Sequence, residues 1–504
     1  VKLAIVVDNA VRFHDDELPE SFIAAVKSAH KHANPARQKA KRLGYPYHHI
    51  PEFFSTWWRD DDERLCLPRG GIVKLKDAVS SWNTECAPGD EIQLLAADRR
   101  TDGNANLSGR IPGHRVQLRS YQQEIVEAIQ QRQCGIVRAP TGSGKTTALI
   151  GAISAVQLPS CVIVWSVGLL NQWKERLVSE LGLSESEIGI IQGQTRRLRK
   201  VTLAMLQTLA KVPPHDPLFQ AFGFVGADEV QRWAAPTARR ALEPFSARYK
   251  IGVSAEEKRK DRLETLIYEQ FGRVIYDPGA KGRQLMEDAG AVVPVDVIIV
   301  PTSFEAPWYQ PPGGDYGRLI EEMTQDDRRT EIARRLVERA RHEGKQTVAL
   351  TLRREHAQYL ASILGTDALL LGGDEQAFER AKDGLRKGLE KVGVGTVQAF
   401  GTGIDIPTLE VGVLATPLLT NLILLNQVVG RFCRPAPGKK RGTLYVLYDE
   451  EVFGISQVIE CARKFPGRVI VERLGERISV DQYLKERREE TRAREERDTG
   501  GAFG

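Results

Sequence analysis

The chain has 504 residues, more than one ordinary domain holds, so about three or four domains are expected at roughly 100 to 200 residues each. Hydrophobic residues make up 41% and charged residues 27%, and no apolar run approaches the roughly 20 residues of a bilayer span, which excludes a helical membrane protein. The net charge of +5 is too modest to announce a polyanionic partner by itself.

Residues 1–7 read as a short strand and lack the basic start and small-residue cleavage site of a secretory signal. The six cysteines, Cys66, Cys86, Cys134, Cys161, Cys433 and Cys461, are scattered, with neither zinc-ligand spacing nor a disulfide framework. Reduced thiols and a cytoplasmic location, nucleoid-associated in a bacterium, are therefore expected. A helical pattern covers 19–33, and a mixed segment with Phe53, Phe54, Trp57 and Trp58 follows. Six Lys or Arg and no acid lie between Lys27 and Arg42, and Arg196, Arg197, Arg199 and Lys200 form a second cluster. Either cluster can sit on phosphates or be a solvated face, and charge alone does not choose. The first cluster and the nearby aromatics suggest electrostatics combined with base stacking on DNA, although a hydrophobic core is the commoner fate of such rings. The run Asp60-Asp61-Asp62-Glu63 reads as a solvated loop, since no second carboxylate cluster accompanies it. Residues 101–113, rich in Gly, Asn and Ser, read as a linker. Residues 1–105 are thus expected to form an N-terminal accessory domain of α+β type, with DNA binding as its candidate role.

Further on, short apolar runs alternate with helical patterns. The runs 135–139, 161–166, 201–204, 222–227 and 249–253 read as buried strands, because a parallel sheet covered on both faces needs continuous hydrophobicity. A second series covers 346–351, 368–371, 394–397, 411–415 and 443–447. The expectation is an α/β chain with two doubly wound parallel-sheet lobes, 115–275 and 327–475. A connector, 276–326, carries Pro311-Pro312-Gly313-Gly314 between them. The tail, 476–504, alternates charges of both signs over 482–498 and reads as an exposed helix or disorder.

Ala139-Pro-Thr-Gly-Ser-Gly-Lys-Thr146 follows the strand at 135–139 and opens a helical pattern, the context a phosphate loop requires. Backbone N–H groups at a helix start carry partial positive charge, and Gly142 and Gly144 let the chain wrap phosphate oxygens, with Thr141 and Ser143 in the same loop. Lys145 is then placed to neutralise the β and γ phosphates of ATP, and Thr146 to hold Mg²⁺. Past the run at 222–227, Asp228 is the second candidate for Mg²⁺ and Glu229 the candidate base that polarises the attacking water. An Asp-Glu pair ending a strand often merely caps a helix; downstream of a phosphate loop it points to hydrolysis.

These segments resemble helicase superfamily 2, in particular its XPB-like and UvsW-like DNA motors, over roughly 115–450. The resemblance implies RecA-like lobes in tandem and further roles. Arg119-Ser-Tyr-Gln122 is similar to the adenine-contacting segment, with Arg119 and Gln122 its readers. Ser166 through Trp173, with Gln172, together with Ile191-Gln-Gly193 and Ala204-Met-Leu-Gln-Thr-Leu209, with Gln207, resemble the strand-tracking motifs of the first lobe; Thr351 and Thr396 are the counterparts in the second. Thr396 to Pro407 looks like motif V, with Gly403 and Asp405 turned to the nucleotide. Gln427-Val-Val-Gly-Arg-Phe-Cys-Arg434 looks like motif VI, with Gln427, Arg431 and Arg434 acting on the phosphates as arginine fingers do.

Two departures qualify the resemblance. The coupling motif stands as Ser254-Ala-Glu-Glu-Lys-Arg-Lys-Asp261: Ser254 and Ala255 match, while Glu256 and Glu257 replace a hydroxyl and a proline. Gln231 stands where many members carry His; its amide can still bridge the carboxylate site to that motif. The implied activity is an ATP-dependent, 3′ to 5′ translocase or helicase gripping the phosphate backbone of DNA, with ATP and Mg²⁺ as cofactors and salt-sensitive, sequence-independent binding. RNA as the track, an ATP-gated scaffold, and the motor subunit of a nuclease or defence complex are the alternatives.

Overall fold

Apolar runs of five to seven residues, buried along most of their length, form the centres of two sheets, and amphipathic helices cover them. The computed structural model describes residues 1–500 apart from 43, 141, 255–262, 280–281, 311–313, 402–403, 405, 420 and 474, and apart from the side chains of 39, 42, 423 and 491–500. The chain divides into two compact units, one of Val1–Pro140 with Gly144–Arg283, the other of Thr141–Ser143 with Gln284–Gly504.

The first unit begins with a five-stranded sheet in the order Trp58–Arg59, Leu65–Pro68, Ala10–Phe13, Lys2–Val7, Gln93–Asp98. Leu3, Ile5, Val11, Phe13, Leu65 and Leu67 share one core with Phe22 and Val26 of the Glu20–Ala29 helix and with Leu75 and Val79 of the Ile72–Glu85 helix. The helix expected over 19–33 stops at Ala29, where His30 turns its ring back to the Val26 carbonyl (3.0 Å). Residues Lys31–Ala33 instead pair antiparallel with Phe53–Ser55. The acidic run makes a turn in which Asp60 accepts from the Arg64 backbone N–H (3.0 Å) and pairs with its guanidinium.

The same unit carries an eight-stranded sheet in the order Thr195–Arg197, Ile188–Gln192, Val201–Met205, Ser160–Val164, Phe224–Asp228, Tyr249–Ser254, Cys134–Arg138, Val274–Tyr276. All neighbours are parallel except the first pair. Five strands fall within a residue or two of the sequence reading; those at 188–192, 195–197 and 274–276 are additional. The N-terminal sheet is bolted to this one. Arg69 is buried and its guanidinium donates to the carbonyls of Ala247 and Arg248. Beside it, a Cβ on Gly70 would lie 2.1 Å from the Tyr268 carbonyl oxygen, so only glycine allows the approach. The segment read as a linker is a strap: Thr101 bridges Ala247, Gly103 bridges Phe222, and Leu107 packs on the core around Phe222 and Phe245.

The second unit holds another eight-stranded sheet, ordered Leu369–Leu370, Val392–Thr396, Thr347–Thr351, Val411–Leu414, Gly442–Tyr448, Val295–Pro301, Val469–Arg473, Glu476–Ser479, antiparallel only at the last pair. Each of the two units therefore contains a doubly wound, mostly parallel sheet, the α/β architecture expected. One reading changes, and the tail takes the helical form of the two left open for it. The stretch 276–326, read as a connector, contributes Val295–Pro301, an interior strand paired on both sides, because Val297, Ile298 and Ile299 are as apolar as any core strand. The charged tail contributes an edge strand and the Val480–Gly500 helix, which is anchored where Tyr483 is buried and Arg487 pairs with Glu450 (2.9 Å). At the centre, buried Arg329 pairs with Asp449 and donates to the carbonyls of Ala415 (2.7 Å) and Leu447 (3.0 Å).

Candidate active site

Parallel strands end together, so everything at their carboxyl ends shares one edge of the sheet, and in open α/β sheets that edge is where ligands bind. In the first unit this edge collects the ends of Cys134–Arg138, Ser160–Val164, Ile188–Gln192, Val201–Met205, Phe224–Asp228 and Tyr249–Ser254.

After the first of these, the chain turns through Gly142 (φ +88°) and Gly144 (φ +75°) into the Lys145–Val156 helix. A Cβ on Gly144 would lie 2.5 Å from the Gln122 amide nitrogen, so the loop is open to backbone there. Gln122 is buried; its Oε1 accepts from the Arg119 backbone N–H (3.0 Å), and its amide donates to the Gly144 carbonyl (3.4 Å). The adenine-contacting residues and the phosphate loop of the sequence reading thus meet. The Lys145 ammonium curls over its own loop and donates to the carbonyls of Ala139 (3.0 Å) and Pro140 (3.1 Å). Thr146 sits half-buried in the first helical turn, and Ser143 is buried.

Asp228 ends its strand between two tryptophans. Its Oδ2 accepts from the Trp173 indole (3.4 Å), its Oδ1 from the Glu229 backbone N–H (2.8 Å), and its carbonyl from the Trp233 indole (3.0 Å). Burial raises the Asp228 pKa, the neighbouring Glu229 charge adds to the rise, and Lys145 opposes it. A divalent cation would relieve that cost, and a buried carboxylate beside a lysine at a helix start suits a metal-bound polyphosphate. Glu229 has φ +53°, which turns its side chain away from the strand line. The Gln231 amide donates to Glu229, and Gln231 Oε1 accepts from the Ser254 hydroxyl (2.6 Å). The amide orientation follows from its partners, since a carboxylate only accepts. The bridge expected of Gln231 therefore runs from the candidate base to the start of the coupling motif.

Beyond this centre, Ser166 caps the Val167–Leu181 helix by accepting from Leu169 N–H (3.3 Å), and Gln172 lies half-buried along it. The Gly193 N–H donates to Thr208 Oγ1 (3.0 Å), and Gln207 donates to the Trp165 carbonyl (2.8 Å). The Arg232 guanidinium lies over the Trp165 ring, 3.7 Å from its centroid. Sequence reasoning missed Trp165, Trp233 and Arg232 as parts of the site, and placed Trp173 in a strand-tracking segment without its bond to Asp228.

In the second unit Thr351 and Thr396 end adjacent strands, and both hydroxyls are engaged inward, Thr351 with His356 Nδ1 (2.9 Å) and Thr396 with the Ala399 N–H (3.3 Å). Gln427 and Arg431 lie on the Leu422–Phe432 helix, and Arg431 donates to the Gly401 carbonyl (2.9 Å), so the segments resembling motifs V and VI touch. Arg434 follows the helix, half-buried. Thr141, Ala255, Gly403 and Asp405 lie outside the described residues.

Residues 115–259 match the family described as Type III restriction enzyme, res subunit. The chain is 34% identical over 186 residues to the putative DNA 3′-5′ helicase Rad25 of Halobacterium salinarum, covering 36% of this chain and 30% of that protein. It is 28% identical over 335 residues to the DNA 3′-5′ helicase XPB of Kineococcus radiotolerans, covering 63% and 57%. Both of these relatives are named as DNA 3′-5′ helicases. T4 UvsW, a solved structure, aligns over 94% of this chain and 99% of its own at 15% identity, with a TM-score of 0.41. The chain spans between 30% and 57% of the length of these two curated relatives.

Proposed function

We propose that this protein is a nucleic-acid-stimulated ATPase that translocates on, remodels or unwinds DNA with 3′ to 5′ polarity. The observation that carries the proposal is the carboxyl edge of the first sheet, where Lys145, Asp228 and the Glu229–Gln231–Ser254 relay stand together. The two relatives named as DNA 3′-5′ helicases support the track and polarity.

In this reading Gln122 and Arg119 orient the adenine, while the loop N–H groups of Gly142, Ser143 and Gly144 with Lys145 take the phosphates. Mg²⁺, held by Thr146 and Asp228, would neutralise charge developing on the phosphoryl oxygens. Glu229 accepts hydrogen bonds from the attacking water and polarises it, and Gln231 fixes the carboxylate in place. Gln427, Arg431 and Arg434 enter on the resemblance, as do the nucleic-acid contacts at Ser166, Gln172, Gly193, Gln207, Thr351 and Thr396. Phosphate release with and without DNA tests the reading. Stimulation by DNA, and loss of turnover by at least about 100-fold in Lys145→Ala and Glu229→Gln, are expected. Equal rates in either variant and the parent would end it.

Glu256 and Glu257 in the coupling motif favour a second reading, an ATP-gated scaffold within a larger assembly. Strand displacement and triplex disruption separate the two: a scaffold hydrolyses ATP and moves nothing.

A further inference from the structure

The small hairpin Lys31–Ala33 with Phe53–Ser55 has two unlike faces, because successive side chains of a strand point to opposite sides. One face is fixed to the first unit. The His32 ring bonds Glu269 Oε1 (2.9 Å), and the Phe54 ring lies tilted against it, centroids 5.6 Å apart, and packs on the core around Trp233 and Phe271. Lys74 meets the same carboxylate oxygen at 2.5 Å. Glu269 belongs to the Glu264–Phe271 helix, the first element after the coupling motif at 254–261.

The other face is open. Phe53 is 45% exposed with the Lys31 ammonium 4.8 Å from its ring centroid, and the segment joining the two strands carries Tyr45, 63% exposed. In that segment the Arg37 guanidinium lies 5.3 Å from the Tyr47 ring. From Ser21 to Pro51 the sequence contains no acid at all. Exposed rings occur singly on ordinary surfaces, but here they stand beside cations in a run without acids, and the buried centre of a protein-docking face is depleted of lysine. Cations for a backbone, interleaved with flat rings for bases, are what a single strand of nucleic acid requires.

We infer that the outer face of this hairpin, with Arg37 and Tyr45 of the segment that joins its strands, binds unpaired bases of single-stranded nucleic acid. Phe53 and Tyr45 offer stacking faces, and Lys31 and Arg37 meet phosphates. The inner face makes this grip one body with the helix that follows the coupling motif, so strand contact and that motif share a mount. The inference deepens the nucleic-acid reading above and is tested apart from it.

The probe is a fluorescein-labelled oligothymidine of about 20 nucleotides, compared by anisotropy with a duplex of equal length, using the full chain. Phe53→Ala is expected to weaken oligothymidine binding at least roughly fivefold without changing its salt dependence. Lys31→Ala is expected to shrink the slope of log affinity against log salt by about 0.7. Both positions are exposed, so the thermal midpoint stays put, and duplex affinity changes less than about twofold. Unchanged oligothymidine affinity in the double variant overturns the inference, and so does an equal loss on the duplex, which would mean a contact with phosphates alone. ATP turnover in Lys145→Ala distinguishes the two proposals: turnover that survives that substitution removes the motor, whereas oligothymidine binding that survives the hairpin double variant removes only the grip.

Discussion

Glu229 is held in a left-handed backbone conformation that costs a side-chain-bearing residue roughly 1–2 kcal/mol, and the cost is offset by what the turn allows. It brings Glu229 against the Gln231 amide, and Gln231 against Ser254, the last residue of the neighbouring strand. A hydrogen bond to a charged group is worth about 1.5–3 kcal/mol, so Gln231→Ala is expected to slow ATP turnover by roughly 10- to 100-fold with KM for ATP little changed. Steady-state phosphate release checks this. Because Gln231 contacts both partners, Gln231→Ala and Ser254→Ala are expected to be non-additive in a double-mutant cycle; additive losses would show that the relay does not act as a unit. Asp228 and Glu229 were legible in the sequence because an apolar run fixes their place at a strand end. Lys145 was legible because a glycine-rich loop leads from a strand into its helix, and Gln231 only through the family resemblance. Trp173 and Trp233 were not, since apolar residues announce burial but never which carboxylate they will enclose.

At the scale of elements, the Glu264–Phe271 helix is fixed to the N-terminal sheet through Glu269. Burial works to raise the Glu269 pKa, but the His32 hydrogen bond and the Lys74 ammonium outweigh it and hold the carboxyl at about 2, against an ordinary 4.5. As pH falls, the unfolded chain takes up this proton first. The pairing therefore contributes its full stability above about pH 4.5, loses it between 4.5 and 2, and contributes nothing below. The advantage of the parent over Glu269→Gln in denaturant titrations is expected to shrink by on the order of 3 kcal/mol across that window; a constant difference would mean the carboxylate is not held by its partners. Elements built from near neighbours were mostly readable, as with the apolar runs at 134–138 and 249–254. The His32–Glu269 contact spans 237 residues and Arg69–Ala247 spans 178, and no local pattern encodes such pairs. The strand Val295–Pro301 was misread for another reason: it lies between a Gly- and Val-containing turn and a proline, which look like punctuation.

Over the whole molecule, two compact units imply two cooperative transitions, each sensitive to its own core. Arg329 and Asp449 are both fully buried, and removing one partner strands the other's charge at a cost of about 3–5 kcal/mol. Asp449→Ala is thus expected to lower one calorimetric transition by several degrees and leave the other in place, while Glu269→Gln near neutral pH moves only the other. A single transition shifted by both substitutions would contradict this independence. The two doubly wound sheets were foreseeable from alternating apolar runs and helical patterns. Their division was not, because the strap 101–107 and the strand 295–301 both sit in stretches whose composition suggests loops.

That strap changes which surgery on this protein is informative. Cutting before Ser120 would leave the carbonyls of Ala247 and Arg248 without the buried guanidinium that now caps them, and would bare the wall that Leu107 covers. A truncated chain that precipitates would then report an exposed, unsatisfied seam and reveal nothing about what its missing portion once held. Single exchanges on the outward face keep the seam closed and let the question be put to an intact protein.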